Sequence, residues 1–150
     1  MASPRRARRP RIAPPPRKGM AMARRISLFE REVRVRLAPV AVDILHGSAR
    51  VLTEGELTGD FYAGSTMLTV DLATTAHRVS DPPDGTTAQR VALLYGADDR
   101  CREHARRIAV AEATRLAQCS LSSALVDVES RARGPQVHLS LNVEAQRSNA

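Results

Sequence analysis

Apolar residues recur along this chain with two different periods, and the period changes from segment to segment. Near the carboxyl end Val137, Leu139, Leu141, Val143 and Ala145 alternate with Gln136, His138, Ser140, Asn142 and Glu144. A period of two sets one face of a strand on a core and the other in water. Leu125–Ser130 has weaker strand character, and Arg131-Ala132-Arg133-Gly134-Pro135 forms a turn between them, so a terminal hairpin is expected. A second alternation runs over 66–79. Leu68, Val70, Leu72, Thr74 and Ala76 take one face, and Met67, Thr69, Asp71, Thr75 and His77 take the other.

Between these strands the period lengthens to three and four. Thr86 and Gln89 fit a capping box for a short helix through Tyr95, with Gly96 as its stop. Asp98 or Asp99 then caps a longer helix reaching about Gln118. Its buried stripe is Cys101, Ala105, Ile108, Ala109, Ala113 and Leu116. Glu103–Arg107 and Asp98–Arg102 are outward pairs of favourable polarity, and Arg102, Arg106, Arg107 and Arg115 make a solvated face.

The first ordered segment fits both periods. Ser27 and Glu30 match a capping box, and Ile26, Phe29, Val33, Leu37, Val40 and Ile44 follow at helical spacing, which predicts a helix over 27–38. The alternation Val33, Val35, Leu37 supports a strand instead. Pro39 interrupts either element, and residues 40–45 are a second short helix or a strand. A short strand over 50–53, a turn at Thr58-Gly59-Asp60 and a loop at Asp81-Pro82-Pro83-Asp84-Gly85 complete the order. The expected fold class is α+β: a mostly antiparallel sheet, helices on one face, and a C-terminal β-hairpin.

Charge divides the chain. Nine of the 23 basic residues, Arg5, Arg6, Arg8, Arg9, Arg11, Arg17, Lys18, Arg24 and Arg25, fall within positions 1–25, where there is no acid. The other 125 residues carry 14 basic and 16 acidic groups, a net of −2. The formal +7 therefore belongs to a tail. Pro4, Pro10, Pro14, Pro15 and Pro16 forbid helix there, which predicts a disordered Arg/Pro-rich arm over 1–25 ahead of one domain over 26–150. Those nine cations are the candidate contacts to nucleic acid or another anionic partner. The alternatives are a solvated extension, or a start at Met20 or Met22. An organelle transit peptide fits the Arg content but not the prolines.

Candidate chemistry is sparse. Phe29, Phe61, Tyr62 and Tyr95 are the only aromatics, too few for a base-stacking platform. Cys101 and Cys119 belong to no CxxC pair and, on one helix, stand about 27 Å apart, so both are expected reduced. His46, His77, His104 and His138 show no metal-ligand spacing, and helix capping accounts for Asp98 and Asp99 better than a paired-carboxylate site. Gly55, Gly59 and Gly64 form no phosphate loop, and no apolar run approaches the length of a membrane span. No catalytic, metal or cofactor residue is nominated, and a non-enzymatic protein is expected.

The segment Thr58-Gly59-Asp60-Phe61-Tyr62-Ala63-Gly64 leads into the strand Leu68–Ala76. A loop, the helix start Asp98-Asp99…His104 and the closing strand Val137–Val143 follow. Over about 26–146 this order of elements resembles the tail-terminator or tail-completion proteins of long-tailed bacteriophages. The resemblance implies a structural subunit forming a homo-oligomeric ring, in number a hexamer, at the head–tail junction. It also implies neighbouring tail or connector proteins as partners, residence in the cytoplasm before assembly and in the virion afterwards, and no active site. The alternative is a nucleic-acid-associated accessory protein whose basic arm makes non-specific phosphate contacts; neither reading involves a membrane.

Overall fold

A computed structural model describes residues 23–37, 45–72 and 85–148, with side chains described from Glu30 onward except at 38–46, 73–86 and 149–150. The chain forms strands β1 (Ala23–Leu37), β2 (Leu45–Thr58) and β3 (Phe61–Asp71), then helices α1 (Gly85–Ala97) and α2 (Asp99–Ala117). Strands β4 (Leu121–Arg133) and β5 (Gln136–Arg147) close it. The five strands make one antiparallel sheet in the order β1-β2-β3-β5-β4. Alternating directions leave the two outer strands, β1 and β4, pointing the same way.

The α+β expectation holds. The segment expected to be helical over 27–38 is instead the edge strand β1. Val33, Val35 and Leu37 lie opposite Ala49, Gly47 and Leu45 of β2. Period two prevails because β2 supplies a full antiparallel ladder, which local helical spacing cannot supply. The same ladder takes in Arg24 opposite Leu57 and Arg25 opposite Glu56, so the expected arm boundary at 25 falls inside β1. The turn at Gly59 is as expected, with φ 62. The expected short strand over 50–53 is the middle of β2, and the strand expected over 66–79 begins earlier, at Phe61. Residues 40–44, the stretch 73–80 and the loop over 81–84 lie outside the described residues.

The closing hairpin is tighter than the sequence suggests. Arg131, Ala132 and Arg133 pair with His138, Val137 and Gln136, which leaves Gly134-Pro135 as a two-residue turn. Gly134 has φ 56. Proline cannot follow with positive φ, so the turn is of the II′ kind that suits the strand twist.

Every second residue of the inner strands faces the helices. Val51 and Leu57 of β2, Tyr62, Leu68 and Val70 of β3, and Val137, Leu139, Leu141 and Val143 of β5 are buried there. Each such side chain contributes roughly 1.5–3 kcal/mol on leaving water. Ala88, Val91 and Tyr95 of α1 cover the β4–β5 half, and α2 crosses the sheet on Cys101, Ala105, Ala109, Ala113 and Ala117. This run of small residues lets α2 lie close to the strands. Ile108 and Leu116, expected inside, are half-buried, while Glu112 is buried.

Asp98 separates the helices. Its Oδ1 accepts from the amides of Arg100 at 2.8 Å and Cys101 at 3.2 Å, the expected N-cap. Gln118 closes α2 in the left-handed region, φ 59. Cys119 therefore follows the helix, and both thiols are free.

Candidate functional site

Among the described residues three surfaces of this sheet remain uncovered, and each is set by strand parity. Two are flanks. Along the β4 flank, α1 and β4 enclose a groove of about 600 Å³ lined by Ala92, Leu93, Gly96, Ala97, Ser130 and Ala132 among others. The Ser130 hydroxyl donates to the Ala92 carbonyl and pins the helix to the strand. Leu93 stands out from the helix at this groove, 71% exposed.

Along the β1 flank, α2 and β1 leave a groove of about 480 Å³ lined by Val33, Val35, Ile108 and Ala111, with Arg31 and Glu112 at one end. Arg31 alternates with Val33 and so points toward α2. Its guanidinium bonds both carboxylate oxygens of Glu112, with Nε to Oε1 at 3.3 Å, and Arg115 joins Oε1 at 3.1 Å. Two cations thus satisfy one buried carboxylate.

The third surface is the open face of the sheet. Glu30, Glu32, Arg34 and Arg36 of β1 lie on it, as do Arg50, Leu52, Glu54 and Glu56 of β2. Phe61, Met67 and Asp71 of β3, His138 and Glu144 of β5, and Leu125, Asp127, Glu129, Arg131 and Arg133 of β4 lie on it too. Phe61, Met67 and Leu125 are exposed at 42%, 48% and 71%. Arg50 meets Glu30 at 3.6 Å, both well exposed, a pair of little energetic weight.

Of the titratable groups nominated from sequence, His104 receives most structure. Its Nδ1 lies 2.7 Å from the Tyr95 hydroxyl. Burial chiefly, then Arg36 and Arg107, push its pKa down. His138, expected on a wet face, is half-buried; Nδ1 meets the Thr69 hydroxyl at 3.2 Å, and Nε2 is buried without a partner. Burial first, then Arg133, Arg131 and Arg50, lower its pKa. The two histidines stand on opposite sides of the sheet. Asp98 is occupied as a cap, and Glu103 pairs with Arg106 and Arg107 at 3.3 and 3.2 Å.

The backbone of Arg24 and Arg25 lies in β1, whereas Arg5, Arg6, Arg8, Arg9, Arg11, Arg17 and Lys18, like His77, lie outside the described residues. Among the described residues no group of three or more His, Cys, Asp or Glu gathers as a metal site, and no helix is long and apolar enough to cross a membrane. Sequence reasoning missed the Arg31–Glu112 bridge and the two flank grooves. The inward parity of Arg31 beside Val33 and Val35 was their available sign. No protein-family model, curated protein or solved structure matches the chain.

Proposed function

We propose that this protein is a non-enzymatic structural subunit that closes into a ring, of the kind that terminates or completes a phage-type tail. The observation carrying this reading is the unlikeness of the two flanks. One flank projects Leu93 from α1; the other offers a groove in which Val33, Val35 and Ile108 are flanked by charged Arg31, Glu32, Arg34 and Glu112. A head-to-tail contact joins two different surfaces of one molecule and closes when its rotation divides a full turn. Leu93 of one copy then sits between β1 and α2 of the next. The placement at a head–tail junction rests on the resemblance in element order across 26–146.

Native mass spectrometry of the full chain tests the ring. The expected species is a multiple of the 16.3 kDa subunit, six-fold for a hexamer, and Leu93→Asp removes the closed species. A chain that stays monomeric at high concentration overturns the proposal. The nine cations of positions 1–25 support a second reading, non-specific nucleic-acid binding that weakens steeply with salt. Duplex DNA binding insensitive to salt argues against it.

A further inference from the structure

We infer that the open face of the sheet is a docking surface for the chain's own first segment: residues 1–22 seat across its acidic half, in the copy they belong to. This goes beyond the ring and does not rest on it, because the surface is separate from both flanks.

Strand register divides the face. One row across it runs Glu30, Leu52, Met67, Ser140, Glu129. From that row to the sheet end at Thr58 and Phe61, the charged residues with described side chains are Glu30, Glu54, Glu56, Asp127, Glu129 and Glu144. All six are acids, and all are exposed. Toward the other end the signs mix, five arginines standing with Glu32 and Asp71. Glu30 meets Arg50; among the described residues the other five carboxylates form no ion pair.

The acidic half is also hollowed. Glu54, Glu56, Ala63, Ser65 and Asn142 are among the residues lining a depression of about 280 Å³. A second, of about 410 Å³, is lined by Leu125, Asp127, Asn142 and Glu144 among others. Asn142 belongs to both, so the two adjoin as a trough across β2, β3, β5 and β4. Small side chains at Ala63 and Ser65 keep it shallow, and carboxylates stand at both of its ends.

β1 starts beside this trough. Ala23 pairs with Thr58, and Arg25, two places on, stands opposite Glu56. Residues 1–22 carry seven cations and no acid, against the six carboxylates of this half. An extended proline-rich chain advances about 3.1 Å per residue, so the stretch from Arg11 to Ala23 spans up to roughly 37 Å. Crossing the sheet from β1 to β4 takes only roughly 19 Å, four strand spacings. The tether holds these cations near the face at an effective concentration of about millimolar order, so a modest attraction suffices to seat them. Charge then selects the half: the arginine-rich end repels the same segment.

Lys18 is the only lysine in the chain, which makes it a reporter of where the segment lies. Zero-length carbodiimide coupling of the full chain, mapped by peptide mass spectrometry, is expected to join Lys18 to Glu54, Glu56 and Glu144 within one copy. Tryptic cleavage after Arg11 and Lys18 measures the unseated fraction. Glu54→Gln/Glu56→Gln/Asp127→Asn/Glu144→Gln is expected to speed that cleavage at least about tenfold at low salt, with an unchanged circular dichroism spectrum. Salt at about 1 M, where the screening length falls to about 3 Å, should close the gap between the two chains. The Leu93→Asp chain is expected to couple and to resist trypsin as the native chain does, which separates this proposal from the ring. Equal cleavage of the native and neutralised chains overturns the inference. So does coupling confined to Asp60, in the turn outside the trough, or coupling that joins separate copies.

Discussion

Arg31 and Glu112 are 81 residues apart in sequence, yet they clamp the edge strand β1 to α2 through a two-point ion pair. The carboxylate side chain is only 8% exposed and the guanidinium 33%, so water screens the pair partially. Glu112 is also the only charged residue counted within the core among the described residues. Without its partners it would be a buried charge on a helix that the rest of its stripe would leave apolar.

Removing Arg31 therefore leaves Glu112 with Arg115 alone. Arg31→Ala is expected to lower unfolding free energy by about 1–2 kcal/mol, below the figure for a fully buried pair because of the guanidinium's exposure. Urea denaturation measures it. Arg31→Ala/Glu112→Leu should recover much of the loss, since no charge is then left stranded. A double variant as weak as the single one would contradict this account.

Tyr62 lies flat across the two facing glycines of β2 and β3. A Cβ at Gly55 would come within 2.7 Å of the tyrosine Cζ, and one at Gly64 within 2.8 Å. Burial leaves the Tyr62 hydroxyl without a partner and pushes its pKa up to about 12. Gly55→Ala and Gly64→Ala are expected to destabilise by about 1–3 kcal/mol through overpacking. Tyr62→Phe removes a buried unpaired hydroxyl and is expected to be neutral or stabilising by up to about 1 kcal/mol. Thermal unfolding of the three variants ranks them; a Tyr62→Phe chain weaker than either glycine variant would refute the assignment.

The histidines give stability a direction with pH. Both His104 and His138 titrate below the ordinary 6.5 in the folded chain, so the unfolded chain takes up protons first. Their contribution is full above pH 6.5 and is lost progressively as pH falls through that value toward the lower native ones. The urea midpoint should therefore fall between about pH 7.5 and 5.5, a window above the carboxylate range. His104→Gln/His138→Gln should flatten that fall. A midpoint that rises on acidification would reverse the sign.

Much of this fold was legible because its elements carry their own signs. Val137–Ala145 alternates without a break, and Asp98 caps α2 through a local contact that needs nothing distant. Residues 27–38 misled because two periods share the same residues, Val33 and Leu37, and only β2 decides between them. Arg31 shows why. In a helix it belongs to a wet face; in β1 it turns inward, and its reason for doing so lies on α2. Glu112 was likewise invisible, since a carboxylate in a stripe of alanines makes sense only with its two arginines.

An odd number of alternating strands makes the two rims of the sheet run in one direction. A half-turn about the sheet normal exchanges the rims but also inverts their sense, so the molecule has no disguised symmetry to confuse a neighbour. Copies set side by side by rotation about the strand direction keep a leading rim and a trailing rim. Any growing arc of them has a head and a tail, and it stops exposing either only by meeting itself.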